Sequence, residues 1–252
     1  MKVLGYSMIR NEIDLLRYTI PYWKKMCDHL LIVDDNSTDG SGDYLRSEGV
    51  EVVHSLTDVY EQHVNTAHYL KDCKYDWVIP FDADELLFDL YLTDDESIDC
   101  IVYRRKNFVP SINFNGDLRT ITHSVNPTGT RQDNEILSHL MMKVIVRGRY
   151  ADKLVMGYHA CKDGIELKEP RMWAAHFPVT SMKKLIEKKE RYKEVCDAVL
   201  LSIDHQNIGH ADLDKYWHDN TYEHLKQHCT YDTRLAERLQ DSFHPQKRFV
   251  KC

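Results

Sequence analysis

The sequence predicts an α/β protein built on a doubly wound, mostly parallel sheet. Three features indicate this: short apolar runs alternate with amphipathic helical segments as far as Glu85, turn-forming residues separate them, and carboxylates follow two of the apolar runs. Such alternation is typical of parallel sheets, because a helix carries the chain back across the sheet between neighbouring strands. A helical region is expected to complete the C-terminal end of the chain.

The first part of the chain contains the clearest elements. Its apolar runs predict strands over residues 3–8, 29–33, 50–54 and 76–81. Apolar side chains at helical spacing between these runs predict helices over residues 12–26, 41–48 and 59–70. Pro21 lies inside the first of these helices and is expected to kink or split it.

The pattern changes after the second acidic segment. Residues 99–104 and 141–147 predict further strands, and the polar stretch Asn113 to Asn134 between them predicts a long functional loop. The C-terminal part has charged, helically periodic segments at residues 181–201, 212–228 and 232–239.

Composition narrows the class of protein. Hydrophobic residues make up 42% of the 252 residues and charged residues 29%, which indicates a soluble globular chain. No apolar stretch approaches the roughly 18 residues of a membrane span, so no integral membrane segment is expected. The seven cysteines are scattered and never form C-x-x-C, which favours a reduced, cytoplasmic setting. Basic residues predominate after residue 142, a pattern that fits either a basic face for a polyanionic acceptor or a solvated helical surface.

The first acidic segment is Asp34-Asp35-Asn36-Ser37-Thr38-Asp39-Gly40, directly after the second predicted strand. A carboxylate at the end of such a strand can accept a hydrogen bond from a base N–H or a ribose hydroxyl, and we assign this role to Asp35. The alternative is a turn in which these side chains only satisfy backbone amides. We expect that structural role for Asp39, and Asp34 is expected to hold the turn.

The second acidic segment is Asp82-Ala83-Asp84-Glu85, directly after the fourth predicted strand. If the chain stays extended there, Asp82 and Asp84 point to one face and repel each other unless a cation lies between them. Mg²⁺ is typically held by one or two carboxylates together with substrate phosphates. Glu85 would point the other way, in a supporting role. The alternative is a solvated loop.

Arg10-Asn11-Glu12 ends the first predicted strand and opens a helix. Arg10 could pair with a phosphate, and the amides at a helix N-terminus favour anions. The alternative is that Glu12 only caps the helix while Arg10 pairs with a nearby acid.

Together these residues resemble a known family. Met8-Ile9-Arg10-Asn11-Glu12, Tyr22-Trp23, the first acidic segment and Phe81-Asp82-Ala83-Asp84-Glu85 are similar to the start of family 2-type glycosyltransferases. The resemblance implies a GT-A fold and transfer of a sugar from a nucleotide-sugar donor, usually with inversion, using Mn²⁺ or Mg²⁺. It also implies a nucleotide-sugar-binding catalytic domain over residues 1–180, with residues 181–252 as a helical extension packed on it.

The resemblance also implies roles for individual residues. Asp35 would contact the base, Asp82 the ribose and Asp84 the metal. The candidate contacts of the nucleotide-sugar are Arg10, Asn11, Glu12, Asp35, Asp82 and Ala83.

A late histidine can complete the metal shell in such enzymes, and His176 is the candidate, with His159 as a weaker one. Imidazole beside carboxylates would suit Mn²⁺ better than Mg²⁺. Inversion requires a general base, for which Asp133 and Glu135 lie in the corresponding region. Their alternative is a solvated loop, and Arg131 could instead hold phosphate. The loop from Asn113 to Asn134 could close over the donor.

The resulting expectation is a metal-dependent glycosyltransferase that uses a nucleotide-sugar, in the first place a UDP-sugar. The acceptor is left open among a glycan, a protein and a modified base in DNA. A non-catalytic GT-A module that binds nucleotide or sugar is the alternative from another class. A phosphotransfer enzyme is disfavoured, because the first strand ends in Arg10-Asn11-Glu12 rather than in an aspartate.

Overall fold

The computed structural model confirms a mixed α/β architecture. It describes residues 1–58, 61–108, 117–118, 121, 123–125, 142–162, 164–177, 229–231, 235, 238–239 and 247–250. The strands are β1 Val3–Ile9, β2 His29–Asp34, β3 Glu51–His54, β4 Trp77–Pro80, β5 Glu85–Phe88, β6 Leu90–Thr93, β7 Cys100–Asn107, β8 His123–Val125, β9 Met142–Arg147, β10 Glu166–His176, β11 Cys229–Tyr231 and β12 Lys247–Val250. The helices are α1 Ile13–Met26, α2 Ser41–Ser47 and α3 Gln62–Tyr69, and the 3₁₀ segments are Gly148–Lys153 and Met156–Tyr158.

The main sheet has the strand order β3-β2-β1-β4-β9-β7-β10-β5. Strands β3, β2, β1 and β4 are mutually parallel, β9 is antiparallel to both of its neighbours, and β10 is again parallel to β7. The carboxyl ends of β1, β2, β4, β7 and β10 therefore lie at one edge of the sheet. The start of β5, which is antiparallel to β10, lies at that same edge.

Both faces of the sheet are covered, which confirms the doubly wound prediction. On one face, α1 packs its buried side chains Leu16, Ile20 and Trp23 against Ile32 and Ile79. The opposite face is covered by Leu70, Ala151, Leu154 and Tyr158. Strands buried on both faces read as continuous apolar runs, which explains why the sequence pattern identified them.

Helix α1 is continuous through Pro21, so the proline does not split it. The flanking aromatic residues explain this: the Tyr22 hydroxyl donates to the carbonyl of Leu87, and Trp23 Nε1 donates to the carbonyl of Glu85 at 3.1 Å. Trp23 also stacks on Phe81 with ring centroids 4.2 Å apart. These tertiary contacts hold the helix across a residue that lacks a backbone donor.

The C-terminal region contributes strands as well as helix. Strand β12 pairs in parallel with β6, and β11 pairs antiparallel with β8. Leu235 and Leu239 are helical and buried in the core, in agreement with the helix predicted there. The helices predicted over residues 181–201 and 212–228 lie outside the described residues. Among the described helices, none is both long and apolar enough to cross a membrane.

Candidate active site

The acidic segments and their predicted partners meet at one edge of the sheet. Arg10 follows β1, Asp35 follows β2, Asp82 follows β4, and His176 is the last residue of β10. Ligands in open α/β sheets bind beyond the carboxyl ends of parallel strands, which is where these side chains lie.

Arg10 and Asp35 form a tight ion pair. Arg10 Nε and Nη2 each lie 2.7 Å from Asp35 Oδ2, and Nε also donates to the Asp35 carbonyl at 3.1 Å. The Asp35 side chain is fully buried, whereas that of Arg10 is 17% exposed. Of the two alternatives for Arg10, the structure therefore shows the pairing with a nearby acid. Its contact with a phosphate stays a prediction.

The loop after Asp35 supplies the N-terminal caps of α1. The Asn11 amide donates to Ser37 Oγ at 3.0 Å, and the Glu12 amide donates to Ser41 Oγ at 3.0 Å. The Ile13 amide donates to Asp39 Oδ2 at 3.1 Å. The amides of Glu12 and Ile13 are among the backbone donors that a helix start leaves without an intrahelical partner. The anion that the Ile13 amide meets is the carboxylate of Asp39, and contact of these amides with a ligand anion stays a prediction.

Asp34 and Asp39 have the structural roles expected of them. Asp34 Oδ1 accepts from the amide of Ser37 at 3.0 Å, and Asp39 Oδ1 accepts from Ser41 Oγ at 2.6 Å. A Cβ at Gly42 would lie 2.3 Å from Asp34 Oδ2, so this glycine lets helix α2 approach the carboxylate. We call Arg10–Glu12 together with Asp34–Ser41 the Asp35 corner.

The second acidic segment is a turn, which corrects the expectation of an extended chain. The amide of Glu85 donates to the carbonyl of Asp82 at 3.0 Å, which closes the turn. The chain has to turn because β4 and β5 are not neighbours: β5 pairs with β10, beyond β9 and β7. Strand periodicity therefore does not determine where Asp82 and Asp84 point. We call residues Asp82–Glu85 the acidic turn.

Buried cations neutralise part of the acidic turn. Lys143 Nζ lies 2.6 Å from Asp82 Oδ2 and 3.5 Å from Glu85 Oε2, and its side chain is fully buried. Arg105 Nη1 lies 3.0 Å from Glu85 Oε1. The amide of Asp82 donates to Glu85 Oε2 at 3.3 Å. Glu85 thus has the supporting role expected from the sequence, as the buried centre of this network.

The network shifts its carboxyl groups in opposite directions. Burial raises the pKa of Glu85 above its ordinary value, and this outweighs the nearby charges of Lys143 and Arg105. Burial also acts to raise the pKa of Asp82, but the charge and hydrogen bond of Lys143 together with the charge of Arg105 outweigh it, and the pKa falls below its ordinary value. Asp82 is therefore held as a carboxylate.

Asp84 and His176 are brought together as the sequence interpretation requires. His176 Nε2 lies 3.5 Å from Asp84 Oδ2, and their side chains are 13% and 8% exposed. The amide of Phe177 donates to the Asp84 carbonyl at 2.9 Å, which fastens the end of β10 to the acidic turn. Within the part of the chain that the structure describes, no group of three or more His, Cys, Asp or Glu side chains is arranged to hold a metal ion.

His159 is placed beside Lys143 rather than with Asp84. Its Nδ1 lies 2.7 Å from the carbonyl oxygen of Met142. Burial, and then the charge of Lys143, lower the pKa of His159 to about 4, so its imidazole is neutral at pH 7. Its hydrogen bond to Met142 separates it from the predicted metal pair of Asp84 and His176.

The other candidates are placed as follows. Ala83 is buried in the acidic turn among core residues, and its contact with the nucleotide-sugar stays a prediction. Asp133, Glu135 and Arg131 lie outside the described residues, as does most of the loop from Asn113 to Asn134.

Sequence reasoning missed Lys143 and Arg105. Lys143 is the second residue of the mostly apolar strand Met142–Arg147, and Arg105 lies in the charged second half of Cys100–Asn107. A lone lysine among the core residues of a strand is a signal that could have been noticed, because a buried ammonium requires an anionic partner. The identity of that partner could not be read from the sequence.

Comparison with known proteins supports the enzyme class expected from the sequence. Residues 9–94 match the family model described as "Glycosyl transferase family 2", a segment that contains both acidic segments but less than half of the chain. Over these residues the chain is similar to family 2 glycosyltransferases. No curated protein sequence matches the chain.

Several solved structures are similar at low sequence identity. Glucosyl-3-phosphoglycerate synthase from Mycobacterium tuberculosis is 16% identical, with 82% of each chain covered and a TM-score of 0.45. Mannosyl-3-phosphoglycerate synthase from Rubrobacter xylanophilus is 12% identical, with 83% of this chain and 78% of that chain covered and a TM-score of 0.44. TarS from S. aureus, residues 1-349, is 16% identical, with 86% and 69% covered and a TM-score of 0.44.

Proposed function

We propose that this glycosyltransferase moves a sugar from a UDP-sugar to an acceptor hydroxyl with inversion, and that Mn²⁺ or Mg²⁺ binds together with the donor diphosphate. One observation carries the proposal: Asp84 and His176, from distant parts of the chain, lie 3.5 Å apart at the sheet edge where the carboxylates converge. A carboxylate and an imidazole on a partly exposed edge are suitable ligands for Mn²⁺.

Asp84 and His176 would supply part of the ligand set of such a metal. Two protein ligands leave coordination positions for diphosphate oxygens and water, which is the usual arrangement for a metal that arrives with a nucleotide. Bound there, the metal would neutralise the charge that develops on the diphosphate leaving group. Asp84 and His176 would hold it, while Lys143 and Arg105 balance the two other carboxylates of the acidic turn.

The remaining donor contacts follow from the positions at the same edge. The Asp82 carboxylate is 30% exposed and can accept from a ribose hydroxyl. The Asp35 carboxylate is assigned to the base. Because Asp35 is fully buried under Arg10, the base reaches it only when the more exposed Arg10 side chain turns aside. Three further residues complete the proposed donor site. Asn11 and Glu12 lie in the Asp35 corner, and Ala83 lies in the acidic turn.

The acceptor side of the proposal rests on the sequence. Asp133 and Glu135 are proposed to supply the general base that an inverting transfer needs. The acceptor is a glycan, a protein or a modified base in DNA, and the activity assay below is designed to separate these. The described cysteines Cys73, Cys100 and Cys161 are free thiols, which supports a reducing, cytoplasmic setting.

We also propose that residues 1–180 form the catalytic domain and residues 181–252 an extension packed on it. Arg238 Nη2 lies 2.7 Å from both carboxylate oxygens of Asp89, and Leu235 and Leu239 are buried in the core. These contacts support an extension that docks on the sheet near β5 and β6.

Thermal unfolding with nucleoside diphosphates tests the donor and the metal. UDP at about 100 times its Kd stabilises a folded protein by about 2.7 kcal/mol, which raises the Tm of a chain of this size by several degrees. We expect this shift with UDP and Mn²⁺ together, and not with either alone. ADP and GDP serve as base controls. If no nucleoside diphosphate gives a metal-dependent shift, the proposal is wrong.

Product analysis separates an enzyme from a binding module. We expect UDP release from a UDP-sugar with Mn²⁺ to accelerate when the correct acceptor class is added, and mass spectrometry then identifies the modified acceptor. Binding of UDP without any release would identify the chain as a non-catalytic module instead.

A further inference from the structure

Lys143 is a fully buried lysine at the edge of the sheet that carries the candidate active site. It lies on β9, where its register partner on β7 is Tyr103. Its ammonium lies 2.6 Å from Asp82 Oδ2 and 3.5 Å from Glu85 Oε2. Removing an ammonium from water is costly unless it is paired, so these two contacts offset the cost of burying Lys143.

The shorter of the two contacts shows which carboxylate Lys143 serves. Glu85 already has the guanidinium of Arg105 at 3.0 Å and is itself almost fully buried. Asp82 is paired with Lys143 at 2.6 Å, and the Asp82 side chain is 30% exposed. The buried ammonium of Lys143 therefore forms an ion pair with one oxygen of the Asp82 carboxylate, which itself reaches the surface of the site.

This geometry limits what Lys143 can do. Because its side chain has no exposed surface, Lys143 acts on a bound nucleotide through the carboxylates it contacts, and of these Asp82 is the nearer and the more exposed. A charge-assisted hydrogen bond of this length fixes the position and the plane of the carboxylate. A carboxylate fixed in this way can accept a hydrogen bond without first losing rotational freedom.

We propose that Lys143 is a positioning residue that holds the Asp82 carboxylate ready for the ribose hydroxyls of the donor. The inference rests on the proposed function, in which Asp82 contacts the ribose. It predicts that Lys143 contributes to recognition of the ribose hydroxyls and to no other part of the nucleotide.

The test compares binding of UDP and of 2′,3′-dideoxyuridine diphosphate, each with Mn²⁺, by calorimetry. A hydrogen bond to a charged group predicts that the wild-type protein binds UDP about tenfold more tightly than the dideoxy compound. In Lys143→Met the preference should fall below about twofold, because UDP binding weakens while binding of the dideoxy compound stays the same. A merely structural defect would weaken both ligands equally.

Arg147→Met is the matched control, since it removes another buried cation from the same strand. Arg147 donates to the backbone carbonyls of Thr93 and Asp95 at 3.0 and 2.8 Å, and its partner Trp77 begins β4 at the opposite edge of the sheet. This variant should keep the wild-type preference for UDP, although it lowers stability. Equal loss of the preference in both variants would overturn the inference.

A second variant tests the same role if Lys143→Met fails to fold. If Lys143→Met does not fold, the double variant Lys143→Met/Glu85→Gln removes one anion along with the cation and is tested in the same way. If neither variant folds, Lys143 is required for the fold itself and the inference is rejected. If the wild-type protein does not bind UDP, the proposed function is wrong. If it binds UDP but does not prefer UDP over the dideoxy compound, only the ribose role of Asp82 and the role of Lys143 are wrong.

Discussion

The Asp35 corner and the acidic turn lie at the same sheet edge but satisfy their carboxylates in different ways. In the corner, Asp34 and Asp39 accept from backbone amides and Asp35 pairs with Arg10. In the turn, Asp82 and Glu85 pair with buried cations from other strands, and Asp84 meets a histidine.

The difference shows which region is held mainly by its own hydrogen bonds and which keeps a carboxylate open to a ligand. The corner is closed by hydrogen bonds between segments 25 to 29 residues apart, and its central carboxylate is fully buried. The turn depends on a lysine 61 residues away and on the end of β10, and it keeps Asp82 partly exposed. We therefore expect chemistry to fail when the turn is changed, and mainly stability to fall when the hydroxyl groups that close the corner are removed.

The largest expected effect is on turnover, from Asp84→Ala in the acidic turn. Loss of the metal carboxylate removes several kcal/mol of stabilisation of the leaving diphosphate, so UDP release should fall about a thousandfold. The Tm should change little, because the charge network around Glu85 remains. Asp43→Ala is the control, since Asp43 lies on α2 with its side chain 92% exposed. If Asp84→Ala keeps full activity, Asp84 is not a metal ligand required for the reaction.

Arg105→Met tests whether buried cations hold the acidic turn. Removal of one partner from a buried ion pair should lower the free energy of unfolding by about 3 kcal/mol, measured by urea denaturation. Adding Glu85→Gln should restore part of this loss, because the carboxylate left without Arg105 is then neutral. If the double variant is no more stable than the single variant, Arg105 and Glu85 do not act as a pair.

His159, beside Lys143, should make the stability of the fold depend on pH. Its pKa is about 4 in the folded protein, below the ordinary 6.5, so the unfolded chain takes up the proton first as pH falls. Stability is therefore complete well above pH 6.5 and is lost between pH 6.5 and 4, by between about 1 and 2 kcal/mol at pH 5.5. His159→Asn should remove this loss, and His63→Asn, at an exposed position of α3, should not. Identical pH profiles of wild type and His159→Asn would contradict the prediction.

The smallest effect is expected in the Asp35 corner. Ser41→Ala removes the hydroxyl that accepts from the Glu12 amide and should lower the free energy of unfolding by about 1 kcal/mol. Ser47→Ala, at the exposed end of α2, should cost less. The Mn²⁺ dependence of UDP binding should remain unchanged in Ser41→Ala. A change in that dependence would show that the corner and the turn are coupled.

Much of the fold was predictable because its signals are local. The strands buried on both faces appear as apolar runs, and the amphipathic helix between β1 and β2 appears as a 3.6-residue period. Pro21 was misjudged because the contacts of Tyr22 and Trp23 with β5 lie far away in the sequence. Strands β11 and β12 were not predicted, because each exists only through pairing with a distant strand.

The sequence by itself determined the class of fold and the two acidic segments, because spacing and local hydrophobicity encode them, and it carried the resemblance to family 2 glycosyltransferases over residues 9–94. It also supplied the pairing of Asp84 with His176, through the resemblance. Only the tertiary structure decided how the carboxylates differ. Asp35 is buried under Arg10, the acidic turn is not extended, and Lys143 grips Asp82. The physical reason is that the energy of a charge depends on the dielectric and the partners around it, and folding sets both.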